Sequence, residues 1–477
     1  MKYETIIGLE IHSELKTKSK IFCSCENKFG SKENTRCCPV CTGMPGSLPV
    51  LNKTVVEYAM KMGIALNCKI NRVCKQDRKN YFYPDLPKAY QISQFDIPLC
   101  EKGYLEYYSQ GQKKKVNITR IHIEEDAGKL IHDSIYGGTL ADYNRCGVPL
   151  IEIVTEPDLR GALEAKDFLE TVKTILQYVD VSDCKMQEGS IRCDINVSIR
   201  KIGETKLGTR VEMKNVNSFS GALRAIEYET KRQIELVESG KSVDQETRRW
   251  DDDKGINIVL RSKEDAHDYR YFPEPDLCPI VISDEWFNDV SVSIPELPNA
   301  KLFRYINELN LPEYDANIIC LSLIKAKFFD ECVSLGANAK TVSNWILGDI
   351  SKYLNENNCE LNETKLLPQY LFEIIKLIES KAISNSSAKK VLDNVFETGK
   401  HPEILVKELG LIQNSDEGAI KELALKVISM NEKSVADYKA GKLNAIGFLV
   451  GQAMRESKGQ ANPQILNIIV KELLDNM

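Results

Sequence analysis

The chain has 477 residues, of which 28% are charged, and a formal net charge of −6 at pH 7. At about 100–200 residues per domain, this length is too great for one hydrophobic core, so we expect roughly two to four domains. The small net charge argues against an electrostatic tail that binds polyanions, although it leaves room for a local basic groove.

The sequence also restricts the compartment. It contains no run of about eighteen apolar residues, and Met1–Glu4 lead directly into a β-like segment without a basic and apolar leader. We therefore expect a cytoplasmic protein that has no contact with a membrane. The 15 cysteines are an odd number spread over a long chain, which favours free thiols over a disulfide framework.

The first β-like segment, Ile6–Lys18, places a carboxylate and an imidazole two residues apart, at Glu10 and His12. Residues two apart in a strand point to the same face, so this spacing suits a shared metal ion. Charged and apolar residues alternate in the same way in later segments, at 120–124, 150–154, 191–197 and 210–214. These patterns predict a sheet with one apolar face and one face of acids, bases and histidines.

The next feature is a cysteine cluster, which consists of Cys23, Cys25, Cys38 and Cys41, with Cys37 beside it. Four thiolates on two short turns are the ligands of a closed, tetrahedral zinc site. A zinc ion bound there would be structural, because no coordination position is left for water. The alternative is a group of buried cysteines without a metal.

Residues 75–90 combine basic and aromatic side chains with prolines. Aromatic rings and guanidinium groups stack on exposed bases or an adenine, while lysines neutralise phosphate. A packed aromatic turn gives a similar pattern, so both interpretations stay open. The sequence contains neither a P-loop nor a Gly-x-Ser-x-Gly motif. Our candidates for binding a nucleotide or the substrate are Lys79, Tyr81, Tyr83, Lys88, Arg210 and Lys214.

The polar sheet face offers a set of acids with one imidazole, namely Glu10, His12, Glu124 or Glu125, Glu152 and Asp194. Oxygen-rich ligands favour a hard ion such as Mg²⁺ over zinc, and Mg²⁺ in turn indicates phosphate chemistry. The alternative is that each acid pairs with a neighbouring arginine or lysine on a solvated face.

Short β-branched strands alternate irregularly with helices up to about Pro295, and the two clearest helices are predicted near 162–179 and 219–239. This arrangement is typical of an α+β fold with a largely antiparallel sheet. Helical spacing dominates after residues 294–298, and a further break is predicted between 399 and 410. We therefore place domains at 1–294, 295–407 and 408–477.

Long segments of the chain closely resemble the B subunits of the bacterial aspartyl/glutamyl-tRNA amidotransferases. They include Gly8-Leu9-Glu10-Ile11-His12 and both cysteine turns, followed by 77–85, 88–94, 122–129, 149–158, 246–250, 268–276, 447–452 and 458–463. The resemblance extends over essentially the whole chain. No domain like an aspartyl-tRNA synthetase is inserted before the helical half, which argues for the B-type subunit over its archaeal E-type relative.

The resemblance implies an enzyme, a carbon–nitrogen ligase of three different subunits. In it, this chain would use ATP to phosphorylate the side-chain carboxylate of Glu-tRNA(Gln) or Asp-tRNA(Asn) and then amidate it. Ammonia would come from glutamine hydrolysed by an amidase A subunit, with a small C subunit holding the two together. The resemblance further implies a cradle-shaped catalytic domain, a helical domain and a small helical tail that binds tRNA.

The resemblance also implies a set of residues for catalysis and for Mg²⁺, which are Glu10, His12, Glu125, Glu152 and Asp194. Strand alternation instead puts Glu124 on the side of His122, so the choice between Glu124 and Glu125 stays open. Some relatives lack the four cysteines, which implies that zinc at residues 23–41 belongs to this version of the subunit. The competing hypothesis is a zinc-stabilised tRNA-binding scaffold without chemistry of its own.

Overall fold

The computed structural model describes residues 2–133, 137–262, 268–412, 417–440, 442, 444–457 and 461–477. The chain divides into two compact units, Met1–Lys301 and Leu302–Met477. Strands dominate the first unit and helices the second, so the predicted α+β class is confirmed. The finer division into three domains with a separate tail stays a prediction.

Strands of the first unit are β1 (Tyr3–Glu14), β2 (Lys69–Ile70), β3 (Val73–Cys74), β4 (Asp77–Asn80), β5 (Tyr90–Ser93), β6 (Cys100–Ser109), β7 (Gln112–Glu125), β8 (Lys129–Asp133), β9 (Gly138–Asp142), β10 (Pro149–Thr155), β11 (Ile191–Lys201), β12 (Val211–Val216), β13 (Glu246–Asp251), β14 (Ile256–Ser262), β15 (Phe272–Pro273) and β16 (Ile280–Val281). Helices of this unit are α1 (Lys53–Ala65), α2 (Ala162–Tyr178), α3 (Phe219–Glu238) and α4 (Asp284–Val292), with a 3₁₀ turn at Met186–Glu188.

One large sheet organises the first unit, with nine strands in the order β14-β13-β12-β11-β1-β10-β7-β6-β2. Neighbouring strands are antiparallel except β12 and β13, which run parallel. A smaller sheet has three strands in the order β15-β4-β5. Two further sheets have two strands each, β16 with β3 and β8 with β9. The long central strand β1 is hydrogen-bonded to both β10 and β11, so residues of three strands meet along it.

Alternation along the central strands separates the two faces of the sheet. On β1, the buried Ile7, Leu9 and Ile11 belong to the same hydrophobic core as residues of α1, α2 and α3. The intervening positions Glu10 and His12 point to the opposite face. Burying one isoleucine stabilises a fold by roughly 1.5–3 kcal/mol, so this register is strongly fixed and the polar face follows from it.

The two helices predicted in the first unit, near 162–179 and 219–239, correspond to α2 and α3. Helix α3 begins where the hydroxyl of Ser218 accepts a hydrogen bond of 2.8 Å from the backbone N–H of Gly221. A Cβ at position 221 would lie 2.9 Å from that hydroxyl oxygen. Glycine therefore leaves room for the cap.

Helix α5 (Pro298–Asn307) contains the boundary between the two units. Helices of the second unit are α6 (Glu313–Cys320), α7 (Leu323–Ser334), α8 (Ala339–Trp345), α9 (Ser351–Asn357), α10 (Pro368–Glu379), α11 (Asn385–Thr398), α12 (Pro402–Glu408), α13 (Glu417–Met430), α14 (Glu432–Lys439), α15 (Ala445–Glu456) and α16 (Pro463–Asp475). A π-helical segment, Ile346–Ile350, separates α8 from α9, and a 3₁₀ turn covers Leu361–Glu363. The helical spacing of this region does not reveal the π-helical segment. The backbone of Gly348 leaves helical geometry there, at φ −93° and ψ −106°.

The last helices share a hydrophobic core of their own, which includes Ile420, Val427, Leu449, Leu466 and Val470. Of the tail motifs that carry the family resemblance, residues 458–460 lie outside the described residues. Across the part of the chain that the structure describes, none of the helices combines the length and the apolar composition needed to span a lipid bilayer.

Candidate active site

Four adjacent strands align polar side chains on the face of the sheet opposite the core. His12 on β1 faces Glu152 on β10 on one side and Arg192 on β11 on the other. Glu152 in turn faces His122 on β7. A single row across four strands therefore carries two imidazoles, a carboxylate and a guanidinium group, drawn from segments far apart in the sequence.

The histidine–carboxylate cluster consists of His12, His122, Glu124 and Glu152. The Nε2 atom of His12 lies 3.4 Å from Glu124 Oε1 and 3.6 Å from Glu152 Oε2. The Nε2 atom of His122 lies 3.1 Å from Glu152 Oε2 and 3.7 Å from Glu124 Oε2. Within the described residues, neither carboxylate forms an ion pair with a lysine or an arginine.

Electrostatics in this cluster favour charged carboxylates and charged imidazoles. Burial alone disfavours the imidazolium of His122, but the neighbouring Glu152 and Glu124 outweigh burial and raise its pKa to about 9. Burial alone likewise favours a neutral Glu152, but His122 and His12 hold the pKa of that carboxyl well below its usual range. In the metal-free chain the imidazolium groups thus balance the two carboxylates, and a cation that binds there would take the place of their protons.

His12, Glu124 and Glu152 each offer one ligand atom, and these atoms lie within 4.8 Å of one another. Two carboxylates and one imidazole suit a hard divalent ion such as Mg²⁺, because oxygen donors match its charge density. The Nδ1 atom of His122 is buried and has no hydrogen-bond partner among the described residues. The three donors therefore fit a metal ion, and His122 contacts both carboxylates of this set through its Nε2 atom.

A second acidic group, the lysine–carboxylate cluster, lies beside the first and consists of Glu10, Asp194, Glu212 and Lys214. Its three carboxylates also offer oxygens within 4.8 Å of one another. Lys214 Nζ donates to Asp194 and lies 3.2 Å from Glu212 Oε1, while Asn196 Nδ2 donates to Glu10 Oε1 at 3.1 Å. Apart from Glu125, the acids that we predicted as one ligand set thus fall into two neighbouring clusters, and one lysine offsets part of the negative charge of the second.

Glu125 lies outside both clusters. Its carboxylate forms an ion pair with Lys88 Nζ and accepts a hydrogen bond of 2.9 Å from the backbone N–H of Ile92. The adjacent Glu124 instead meets His12 and His122, as alternation along the strand predicts. A role for Glu125 as a metal ligand stays a prediction, and this geometry does not favour it.

A cleft of about 250 Å³ opens on the histidine–carboxylate cluster. Its walls combine acids, cations and aromatic rings and are formed by His12, Lys79, Tyr81, Gln91, Glu124, Asp126, Ala127, Leu150, Arg192 and Asp194. Of our predicted ATP- or substrate-binding residues, Lys79 and Tyr81 therefore line the cleft. Burial disfavours the ammonium form of Lys79, but Glu124, Glu152 and two nearby tyrosines together outweigh burial and raise its pKa.

Aromatic rings extend outward from this wall. Tyr81 packs edge to face against Tyr269, with ring centroids 5.9 Å apart, and Lys79 Nζ lies 4.9 Å from the Tyr269 centroid. Tyr271 stacks on Phe95 at 4.2 Å. Pairing between β15 and β4 brings the 269–271 segment to this wall. We had not selected these tyrosines as site residues, although their motif was visible in the sequence.

The other predicted binding residues have different surroundings. Tyr83 is 57% exposed and touches the edge of Tyr81, with centroids 6.1 Å apart. Lys88 pairs with Glu125, and Lys214 belongs to the lysine–carboxylate cluster. Arg210 is exposed, precedes β12 and is not among the residues that line the cleft.

Further charged residues of the site were missed at the sequence level. His122 and Glu212 occupy alternating positions in segments that we had already recognised as polar strands, so the same signal contained them. Arg192 pairs with the buried Asp126, at 2.8 Å between Nη2 and Oδ2. Arg192 lies on β11 and Asp126 directly follows β7, with two strands between β11 and β7 in the sheet, so only the folded chain brings these residues together.

The four predicted zinc ligands also converge. Cys41 Sγ lies 3.4 Å from Cys23 Sγ, 3.7 Å from Cys38 Sγ and 3.9 Å from Cys25 Sγ. A tetrahedral zinc with bonds of about 2.3 Å requires sulfur–sulfur separations of about 3.8 Å, so the residues fit the ion. Cys37 turns away and contacts the carbonyl oxygen of Asn34.

Comparisons with known proteins agree over the whole chain. The family described as the GatB/GatE catalytic domain matches residues 5–288, and the family described as the GatB domain matches residues 327–474.

Relatives of full length extend this agreement. The chain is 58% identical to the B subunit of the aspartyl/glutamyl-tRNA(Asn/Gln) amidotransferase of Caldicellulosiruptor bescii over 480 residues, which is 100% of both chains. It is 56% identical to the protein of the same name from Caldanaerobacter subterraneus over 474 residues, which is 99% of this chain and 100% of the relative. It is 52% identical to the protein of the same name from Clostridium tetani over 478 residues, which is 100% of both chains.

Proposed function

Because this chain belongs to the GatB family, we propose that it is the component of a tRNA-dependent amidotransferase that activates and amidates a side-chain carboxylate carried by tRNA. Its substrates are Glu-tRNA(Gln) or Asp-tRNA(Asn), and its products are Gln-tRNA(Gln) or Asn-tRNA(Asn). An amidase A subunit supplies ammonia from glutamine, and a small C subunit completes the trimer.

Activation is needed because ammonia does not attack a carboxylate at a useful rate. The carboxylate carbon is shielded by negative charge, and oxide cannot leave. In the proposed reaction, a carboxylate oxygen of the substrate attacks the γ-phosphorus of ATP, ADP leaves, and an acyl phosphate forms. Ammonia then attacks the acyl carbon, and phosphate leaves with the bonding electron pair.

The residues of the cleft suit this reaction. His12, Glu124 and Glu152 would hold Mg²⁺, which when bound would screen the repulsion between the ATP phosphates and the incoming carboxylate. Lys79 reaches the same cleft as a cation and is positioned to bind a phosphate oxygen. Tyr81 and Tyr269 offer ring faces and edges next to that cation, which suits an adenine or the terminal base of a tRNA.

One observation supports catalysis over the scaffold hypothesis. If the acids only stabilised the fold, we would expect lysine or arginine partners, as Asp194 has with Lys214. Glu124 and Glu152 are buried and contact histidines instead. An imidazole, unlike a lysine or an arginine, gives up its proton near neutral pH and then serves as a metal ligand. A site for a divalent cation therefore accounts for buried acids whose partners are histidines.

Reconstitution tests the proposal. The chain would be combined with A and C subunits, and amidation of Glu-tRNA(Gln) and of Asp-tRNA(Asn) would be measured together with ADP release and glutamine hydrolysis. We expect His12→Ala and Glu152→Gln to lower amidation by about 10²–10³-fold, the usual effect of losing one charge-stabilising group. Glutamine hydrolysis by the A subunit should persist. Wild-type amidation rates in both variants would contradict the assignment.

The scaffold hypothesis predicts a different result from the RNA-free chain. Calorimetric titration with Mg²⁺ or Mn²⁺ should then show no site, whereas the catalytic proposal predicts binding that His12→Ala abolishes. Lys201→Ala is a suitable control, because Lys201 is exposed at the end of β11, far along the strand from the cluster.

A further inference from the structure

Lys88 connects two parts of the first unit that the proposed reaction does not link. Its side chain is 9% exposed, and its ammonium group pairs with Glu125, whose side chain is 4% exposed. Glu125 also accepts a hydrogen bond from the Ile92 amide, and its own carbonyl accepts one of 2.7 Å from Gln91 Nε2. The pair thus fixes the end of β7, one residue from Glu124.

The other side of Lys88 packs against the cysteine turn, which we define as residues 38–46. A Cβ at Gly43 would lie 2.4 Å from Lys88 Cγ and 3.2 Å from Lys88 Cα. The Gly43 backbone therefore lies directly on the aliphatic stem of Lys88. Phe22, next to the first zinc ligand, adds an aromatic ring whose centroid is 5.6 Å from Lys88 Nζ.

The position of Gly43 depends on the cysteine ligands. Its N–H donates to Val40 O at 3.2 Å, and the neighbouring Met44 N–H donates to Pro39 O at 2.9 Å. These bonds close the turn that carries Cys38 and Cys41. A metal that fixes both sulfurs would therefore fix the surface on which Lys88 rests.

Lys20 anchors the same turn from inside. This lysine is 1% exposed, and its Nζ lies 2.7 Å from the carbonyl oxygen of Cys146 and 3.6 Å from Cys41 Sγ. A buried ammonium group next to a thiolate offsets part of the negative charge that four cysteines bring to one ion. The cysteine turn is thus held by two contacts, one between the Lys20 ammonium group and Cys41 and one between Lys88 and Gly43.

We propose that metal binding at the cysteine cluster positions Lys88 against Glu125, so that the structural metal site and the polar end of β7 are energetically coupled. Release of the metal frees the cysteine turn, Lys88 loses its support, and Glu125 becomes a buried carboxylate without a fixed cation. Coupling of this kind is reciprocal, so changes at Lys88 also alter zinc affinity. The coupling does not depend on the proposed function, because it requires neither ATP nor tRNA.

A cycle of variants in the full-length chain tests the coupling. Gly43 and Gly46 both have positive φ, +65° and +84°, so alanine strains the backbone at either position. Only at Gly43 does the new Cβ meet Lys88, since nothing lies within 4 Å at Gly46. We expect Gly43→Ala to lower zinc affinity about tenfold more than Gly46→Ala, measured by competition with a chromogenic chelator.

Removing the Lys88 stem should remove most of that difference. In a Lys88→Ala background the closest atom is gone, so Gly43→Ala and Gly46→Ala should weaken zinc binding to nearly the same extent. Equal affinities of the two glycine variants in the wild-type background would overturn the proposal. So would a difference that persists undiminished in the Lys88→Ala background.

Hydrogen exchange provides a readout on the unmodified protein. The Ile92 amide donates to Glu125, so its exchange reports whether that carboxylate keeps its place. Removing zinc with a chelator should accelerate exchange in the 90–93 segment and leave β11 unchanged. Unchanged exchange at 90–93 would overturn the proposal, and so would an equal acceleration in β11, because that signals general unfolding.

Discussion

Two adjacent glutamates at the end of β7 have different electrostatic surroundings. Glu124 contacts imidazoles, which lose their proton easily when a negative charge is removed, whereas Glu125 contacts the buried ammonium of Lys88. Breaking a buried ion pair by removing one partner costs about 3–5 kcal/mol, because the remaining charge is uncompensated. Identical substitutions at neighbouring positions should therefore separate a stability role from a binding role.

We expect Glu125→Gln to lower the free energy of unfolding by about 3–5 kcal/mol, and Glu124→Gln to lower it by less than about 2 kcal/mol. Divalent-ion affinity should follow the opposite order, with the larger loss in Glu124→Gln. Urea denaturation and calorimetric titration measure the two effects. A larger loss of ion affinity in Glu125→Gln than in Glu124→Gln would instead support Glu125 as the metal ligand, as the family resemblance implies.

The pKa of His122 predicts how stability of the metal-free chain depends on pH. Its folded-state pKa is about 9, above the ordinary value of 6.5. The stabilisation is therefore fully present below pH 6.5 and is lost as pH rises through 9. We expect the free energy of unfolding of the wild type to exceed that of His122→Gln at pH 6. This difference should be roughly 1–3 kcal/mol larger at pH 6 than at pH 10. Urea denaturation at both values measures this, and a difference that does not change with pH would contradict it.

At this scale the sequence predicted the types of site residue better than their grouping. Alternation identified Glu10, His12 and Glu152 because period-two spacing is a local property of one strand. It could not divide the acids into two clusters, since that depends on which strands are neighbours. Lys214 shows this, because its partner Asp194 belongs to a different strand.

The central strand β1 determines both faces of the sheet, so its apolar positions have a large effect on stability. Ile11 is fully buried in the core of the first unit. We expect Ile11→Ala to lower the free energy of unfolding by about 2–5 kcal/mol, through lost apolar burial and the cavity that remains. Ile202→Ala is a matched control, because Ile202 is 63% exposed. Equal effects in chemical denaturation would show that β1 is not central to the core.

Helix α3 depends on a cap that the sequence itself indicates. Ser218 satisfies a backbone N–H of the first turn, so Ser218→Ala should cost about 1 kcal/mol. Ser220→Ala, on the exposed side of the same turn, should leave stability unchanged or raise it slightly because alanine favours helix. Thermal unfolding of both variants checks the assignment, and an equal loss in both would refute the cap.

Long elements were predictable, but contacts between distant short elements were not. The helices predicted near 162–179 and 219–239 match α2 and α3 because their apolar spacing extends over several turns. The two-residue strand β15 has no such periodic signal. Its pairing with β4 nevertheless brings Tyr269 and Tyr271 to the cleft, and only the folded chain shows this.

At the scale of the whole molecule, the four clustered cysteines and the large sheet lie in one compact unit, and the described residues of that sheet's core all belong to it. Calorimetry should therefore resolve two unfolding transitions, of which chelation of zinc lowers only one, by roughly 5–15 °C. Reloading zinc should restore it. A single transition that shifts as a whole would contradict independent unfolding of the two units.

The period of two along β1 has a consequence for how this protein tolerates change. Substitutions at Glu10 or Ile11 have graded effects, since each alters one side chain. Deleting a single residue between Ile7 and His12 would instead exchange inward and outward directions for the rest of the strand. Carboxylates would then point into the hydrophobic core, and isoleucines would point into the cleft. Replacements within β1 are therefore tolerated more readily than a one-residue deletion in its middle, which would need a β-bulge to restore the alternation.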